Sequence, residues 1–324
     1  MTEQEYIKQA PTATIFDGLI KAKSVLNSHN NIMVSISGGA DSDNMIDIVE
    51  HLRPRDDKHH VTYVFFDTGI ELDATKRHLN YLEEKYGIKI IRHRAKVTVP
   101  MAVMKEGVPY LSKDAAQRIY ELQQHNFDWS NGTLEELEEK FPNCKSGLKW
   151  WTGKKGRYSL AKIRHQFIHD NPPDFKISHK CCYYAKKQPS AEIEKELNAD
   201  LVLLGLRRAE GGVRASKAGC FDPAGTTHKT DRYYPCFWWT DNDKTQFKKL
   251  YGIVHSNAYI VYGLKRTGCV GCPFNSQFAS GLAKVKPYEP QLVKAVEHIF
   301  APAYEYANKY QEYKNMRKTM NKGS

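Results

Sequence analysis

Residues 35–42 read SISGGADS, an apolar run turning into a glycine-rich loop. Gly38 and Gly39 let the backbone turn tightly, and a helix opening there would present N–H groups and a partial positive charge. Ser37 and Ser42 add hydroxyl donors, so the loop is suited to holding phosphate oxygens. Asp41 cannot meet a phosphate without repulsion; it either orders the loop or holds a Mg²⁺ that bridges to the phosphates. The spacing excludes the ATPase loop G-x-x-x-x-G-K-[ST] and the dinucleotide fingerprint G-x-G-x-x-G.

Two cysteine pairs form a second group with chemical capacity: Cys181–Cys182 in HKCCYYAKKQP and Cys269 with Cys272 in RTGCVGCPF. Four thiols with no associated histidine suit a structural Zn²⁺ or a [4Fe–4S] cluster. An adjacent Cys-Cys is awkward around one tetrahedral ion, yet the residues alone leave both metals open. Seven cysteines, an odd number, argue against a disulfide framework and for metal or catalytic use. Of the other three, Cys220 beside Lys217 is a reserve ligand or thiol, whereas Cys144 and Cys236 read as buried. His93 and His179 read as structural.

The elements that must position these groups follow from periodicity. Ile15, Leu19, Ala22 and Leu26 recur at helical spacing. NIMVSI, VTYVFFDTG and IKIIRHRA are strands with apolar runs, separated by the helices DNMIDIVEHLR and ELDATKRHLNYLEEKYG, the latter stopping at Gly87. This order predicts an α/β fold with an open, mostly parallel, doubly wound sheet. Residues from about 97 to 180 are less regular and read as a helical insertion. ADLVLLGLRR resumes the strands, Thr240 is the N-cap of a further helix, and the C-terminal tail is helical with a break near Pro302. The division expected is a nucleotide-binding domain over 1–275, carrying the insertion, and a helical extension over 276–324.

SGGADS resembles the S-G-G-x-D-S signature of the PP-loop ATP pyrophosphatases, in the adenine nucleotide α-hydrolase-like group. The resemblance implies that fold, binding of ATP or a related adenylyl nucleotide, and attack at its α-phosphate with release of pyrophosphate. FFDTGIEL resembles the D-T-G segment of the phosphoadenosine phosphosulfate reductase branch, which implies Asp67, Thr68 and Gly69 beside Ser37–Ser42 around the nucleotide. GLRRAEGGVR is similar to the family pattern G-x-R-x-x-E-S-x-x-R: Gly205, Arg207, Glu210 and Arg214 match, and Gly211 stands where serine is usual. That similarity implies Arg207 and Arg214 at the reacting phosphate together with Asp41. Lys186, Lys187 and Arg266 are further cations for the substrate anion. The Cys-Cys followed by lysines and Pro189, with a distant C-x-x-C, is similar to the [4Fe–4S] pattern of adenylyl sulfate reductases. It is also similar to reductase-like proteins linked to DNA sulfur modification and to phage and bacterial relatives. It implies a cluster on Cys181, Cys182, Cys269 and Cys272, with zinc as the alternative.

One departure matters for function. Sulfonucleotide reductases carry a nucleophilic cysteine in a C-terminal E-C-G-x-H segment, and no cysteine follows Cys272 here. Three readings result: an ATP-dependent adenylating enzyme for sulfur transfer to a nucleic acid, a sulfonucleotide reductase with a relocated thiol such as Cys220, and a non-catalytic nucleotide-binding module. A formal net charge of +11 attracts polyanions, and Trp150, Trp151 and Tyr158 in KWWTGKKGRY are candidates to stack on bases of tRNA or DNA. No apolar run approaches the roughly 20 residues of a membrane span, and the N-terminus lacks a basic, apolar leader. The expectation is a cytoplasmic protein without membrane contact, as a homo-oligomer or with a partner that donates sulfur.

Overall fold

The computed structural model describes residues 1–156, 160–226 and 228–320. The chain opens with α1 (Glu3–Lys8) and α2 (Ala13–Asn27), then β1 (Asn31–Ile36), α3 (Ala40–Leu52), β2 (His60–Asp67), α4 (Asp73–Tyr86) and β3 (Ile90–Arg94). Five helices follow: α5 (Val99–Glu106), α6 (Lys113–Gln124), α7 (Leu134–Lys140), α8 (Lys145–Trp151) and α9 (Lys162–Asp170). A π-helical turn at Tyr183–Lys187 leads into α10 (Gln188–Glu196), β4 (Leu201–Leu204), β5 (Phe221–Asp222) and β6 (Asp231–Tyr233). The chain then forms α11 (Asp241–Tyr251), α12 (Asn257–Ile260), α13 (Phe278–Val285) and α14 (Pro290–Met320).

These elements group into two compact units. The first contains Met1–Lys96 and Lys186–Cys269, the second Val97–Ala185 and Val270–Ser324. The second unit thus joins Val97–Ala185 with the C-terminal segment from Val270.

In the first unit the strand order is β3-β2-β1-β4-β6-β5, parallel throughout except for β5 against β6. β1 is central, with Ile36 beside Phe65 of β2 and Ser35 beside Leu204 of β4. Alternation along the strands sends Ile32, Val34, Tyr63, Phe65, Leu201 and Leu203 into one apolar layer shared with α2, α3, α4 and α11. Met33, Val64, Phe66 and Val202 face the opposite layer, where Ile193 of α10 covers them. Both faces are thus covered, as the apolar strand runs require. The fold is an open, mostly parallel α/β sheet, and its strand order reverses between β1 and β4.

Two helix ends read correctly from sequence: Gly87 ends α4 in the left-handed region, and Thr240 caps α11 with Asp243 completing a capping box. Helix α3 is almost wholly buried, yet carries acids. Asp47 accepts hydrogen bonds from Tyr6 and Tyr86, both at 2.7 Å, and Glu50 is paired with Arg53 at 2.8 Å. Partners of this kind are the condition for burying a carboxylate.

The second unit is helical. Its core gathers Phe127, Trp129, Trp150, Trp151, Phe167 and Tyr306. Trp151 Nε1 donates to the Ser130 carbonyl at 3.0 Å, satisfying the one polar atom of that buried indole. The break expected near Pro302 does not occur: α14 runs continuously through it. A proline removes one intrahelical bond, and the packing of Phe300, Ala303 and Tyr306 into buried positions keeps the register on either side.

Candidate functional site

The turn after β1 is built as the sequence predicts. Gly38 has φ +64°, and a Cβ there would lie 2.4 Å from Thr75 Cγ2 of α4, so only glycine fits. Gly39 is the extended N-cap of α3, which places the first turn of that helix behind the loop. The Ser37 N–H donates to Ser42 Oγ at 3.1 Å, and the two hydroxyls are 2.9 Å apart. This closes the loop on itself.

β4 ends beside β1, at the point where the strand order reverses. In an open α/β sheet the crevice at such a point is the usual ligand site. Gly205 lets the chain pass close to the first turn of α3: a Cβ there would lie 3.0 Å from Asp41 C and Ser42 N. Two residues on, Arg207 is 5% exposed. Its Nε donates to Asp41 Oδ1 at 2.8 Å, its Nη1 to the Trp239 carbonyl at 3.2 Å, and its Nη2 to Asp241 Oδ1 at 2.9 Å. Burial opposes the guanidinium charge, but Asp41 and Asp241 more than restore it, so its pKa is raised. Burial pushes the Asp41 carboxyl up, against the pull of Arg207 and of Lys244 at 4.0 Å. The ion pair ties Asp41 at the start of α3 to the segment after β4.

The other cations of this segment are also paired. Arg214 contacts Glu210 Oε1, and Arg266 Nη2 reaches the same oxygen at 3.4 Å. The Asp-Thr-Gly segment at the end of β2 is a tight turn in which Asp67 Oδ1 accepts the Gly69 N–H at 2.9 Å. Thr68 is fully buried, donates to Glu71 at 2.7 Å and lies 3.7 Å from Cys269 Sγ. Lys187 is exposed at the start of α10, and Lys186 is half-buried.

Several residues of this region carry no sequence signal. The Ala40 N–H donates to Tyr259 Oη at 3.2 Å, and the Thr267 N–H donates to the same oxygen at 3.3 Å. Asp43, fully buried on α3, bonds His78 Nε2 at 2.9 Å and His255 Nδ1 at 2.8 Å. That bridge pins α4 and the segment before α12 to the first turn of α3, behind the glycine loop. Each partner is distant in sequence and ordinary in type, so no motif could have found them.

Of the predicted thiols, Cys269 closes the first unit, while Cys181, Cys182 and Cys272 belong to the second. Cys181 is buried and the other three are half-buried. Among the described residues, no group of three or more His, Cys, Asp or Glu side chains is arranged to hold a metal ion. Cys144 and Cys236 are buried in the two cores, as expected, and burial pushes both thiols up. Cys220 is half-buried, and Lys217 is taken by Asp222.

One expectation is corrected. Trp150 and Trp151 are each 2% exposed in the helical core and cannot stack on a base. Their spacing within KWW reflects the apolar face of α8, whose large rings fill the core. Tyr158 lies outside the described residues.

The model of the phosphoadenosine phosphosulfate reductase domain matches residues 31–125 and 117–275. The chain belongs to this family. A relative in Escherichia phage 186, described as an uncharacterized 37.8 kDa protein, is 27% identical over 277 residues, 80% of this chain and 70% of its own. Among solved structures, this family member is similar to phosphoadenylyl-sulfate reductase from Candida auris in its phosphate complex. The two share 12% identity over 82% of this chain and 93% of that chain, with a TM-score of 0.43. It is also similar to the tRNA thiolase NcsA from Methanococcus maripaludis with its [4Fe-4S] cluster, at 12% identity over 91% of this chain and 80% of that chain, TM-score 0.39. Among the described residues of the reductase-domain protein, no helix is long and apolar enough to cross a membrane.

Proposed function

We propose that this protein is a PP-loop enzyme that binds ATP, cleaves it at the α-phosphate and uses the adenylated target for sulfur transfer to a nucleic acid. The observation that carries the reading is the closed Ser37–Ser42 loop latched by Arg207 at the strand-order reversal, in a chain of the reductase-domain family. The N–H groups of Gly38, Gly39 and Asp41, at the turn and the start of α3, hold the β- and γ-phosphates as the leaving pyrophosphate. Arg214 stabilises charge on the α-phosphate, in catalysis by positioned charge rather than by a strong base. Arg266 replaces Arg207, expected there from sequence but with its guanidinium spent on Asp41, Asp241 and the Trp239 carbonyl. Asp67, Thr68 and Gly69 line the nucleotide, and Lys186 and Lys187 add cations for its anionic groups.

In this reading a target oxygen attacks the α-phosphorus, pyrophosphate leaves, and an adenylate forms on the target. A sulfide-level sulfur from a donor then attacks the activated carbon, and AMP departs with the oxygen. A Mg²⁺ bound with the nucleotide would be held by Asp41 and would neutralise charge on the phosphates. By donor type alone, the thiols of Cys181, Cys182, Cys269 and Cys272 would suit [4Fe–4S] and, less readily, Zn²⁺. A cluster held there would supply a binding point for sulfur.

The test is pyrophosphate and AMP release from ATP by anaerobically purified protein, with iron and acid-labile sulfide measured on the same sample. Turnover that drops about 100-fold in Arg214→Ala supports the reading. Orthophosphate release, or no turnover at any target, sinks it. One zinc and no sulfide removes the cluster.

The family membership also favours a second reading, reduction of a sulfonucleotide with Cys220 as the thiol. Sulfite release from phosphoadenylyl sulfate, lost in Cys220→Ser, would establish it.

A further inference from the structure

Four of the five tryptophans are buried: Trp129, Trp150, Trp151 and Trp239 are all at 8% exposure or less, whereas Trp238 is 46% exposed. Its position is held by backbone. The Arg208 N–H donates to the Phe237 carbonyl at 2.8 Å, and Arg207 Nη1 donates to the Trp239 carbonyl, so the two short segments 207–208 and 237–239 run side by side. Neighbouring residues on each point opposite ways. Arg207 and Trp239 turn inward, to the phosphate loop and the core; Arg208 and Trp238 turn outward. There the Arg208 guanidinium lies 5.4 Å from the Trp238 ring centroid, and the Phe237 ring packs edge-on to the indole at 4.8 Å.

We propose that Trp238 and Arg208 form a stacking platform for a base of single-stranded nucleic acid, one residue along from the arginine that latches the phosphate loop. An exposed indole on a rigid backbone stacks on any base without reading its sequence, and a guanidinium beside it adds cation–π attraction and a charge for the neighbouring phosphate. The net charge of +11 suits a polyanion as the occupant. The proposal rests on the nucleic-acid reading above and gives it a location, which the buried Trp150 and Trp151 cannot supply.

The experiment is fluorescence-anisotropy binding of a labelled single-stranded oligonucleotide, in RNA and DNA versions, to the full chain and to Trp238→Ala, Trp238→Phe and Arg208→Ala. Circular dichroism of each variant controls for folding. We expect Trp238→Ala to weaken binding by about 10-fold or more, Trp238→Phe to keep most of the affinity, and the salt slope to fall in Arg208→Ala. The version bound more tightly, RNA or DNA, identifies the source of the base. If the wild type binds neither oligonucleotide, the platform and the nucleic-acid part of the proposed function fall together. If the wild type binds and the folded variants bind equally well, the platform alone is overturned. Displacement of the oligonucleotide by ATP, with quenching by ATP that disappears in Trp238→Ala, would assign the ring to adenine and overturn the proposal too.

Discussion

Arg207 Nε donates to Asp41 Oδ1 at 2.8 Å across 166 residues of sequence. That bond joins the segment after β4 to the first turn of α3, the two strand ends that flank the strand-order reversal. Asp41 is 17% exposed at its side chain, so its charge depends on this partner. Arg207→Ala should therefore cost about 3 kcal/mol, read as a lower urea midpoint. Arg207→Lys, which cannot span Asp41, Asp241 and the Trp239 carbonyl at once, should recover only part of it. Equal stability of all three proteins would mean that Lys244 suffices as the counter-ion.

The two glycines that set the loop should behave differently from surface glycines. Gly38→Ala places a methyl group against Thr75 on a backbone at φ +64°, and should cost about 2 kcal/mol and abolish ATP binding. Gly205→Ala should weaken ATP binding by pushing the strand end from α3. Calorimetric titration with ATP on folded samples checks both.

Trp150→Ala and Trp151→Ala should each destabilise the protein by about 3–5 kcal/mol, the cost of emptying a core site. Thermal melts test this. A variant that melts like the wild type yet loses nucleic-acid binding would return the tryptophan pair to a binding surface.

Asn44, fully buried on α3, has neither amide atom hydrogen-bonded among the described residues. An unsatisfied buried amide is costly, so Asn44→Leu should raise stability by about 1 kcal/mol. A lower melting temperature would instead reveal a partner that the buried amide needs, such as an internal water.

In the second unit Glu106 accepts from Lys180 at 2.9 Å and from Tyr184 at 3.1 Å. Those bonds, the Lys180 one foremost, outweigh partial burial and hold its carboxyl below the usual range. A depressed folded-state pKa means that the stabilisation is complete above about pH 4.3, the unfolded value, and is lost as pH falls through the folded one. The stability gap between wild type and Glu106→Gln should then close as urea melts move from pH 6 to pH 3. A gap that widens towards acid would reverse the sign of this linkage.

Much of this architecture was legible without coordinates, because it depends on local rules. Apolar strand runs alternating with helices imply a covered parallel sheet, Gly87 and Thr240 mark helix ends, and SGGADS announces a tight glycine turn into a helix by residue type and spacing. KWW could not be read the same way, since an aromatic pair suits a core and a stacking surface equally, and only packing chooses. The partners of the loop were equally silent. Tyr259, Thr267, His78 and His255 are scattered residues of common type, drawn to the loop by the way α4 and the segments after α11 pack. Sequence alone determined the strands and helices of the sheet and the glycine turn after β1, since backbone propensity and glycine sterics act over a few residues. Only the tertiary structure decided that Arg207 is latched to Asp41, that Trp150 and Trp151 are core, and that Trp238 is the tryptophan left facing water. Burial and hydrogen-bond pairing are properties of neighbours in space, which the order of residues does not record.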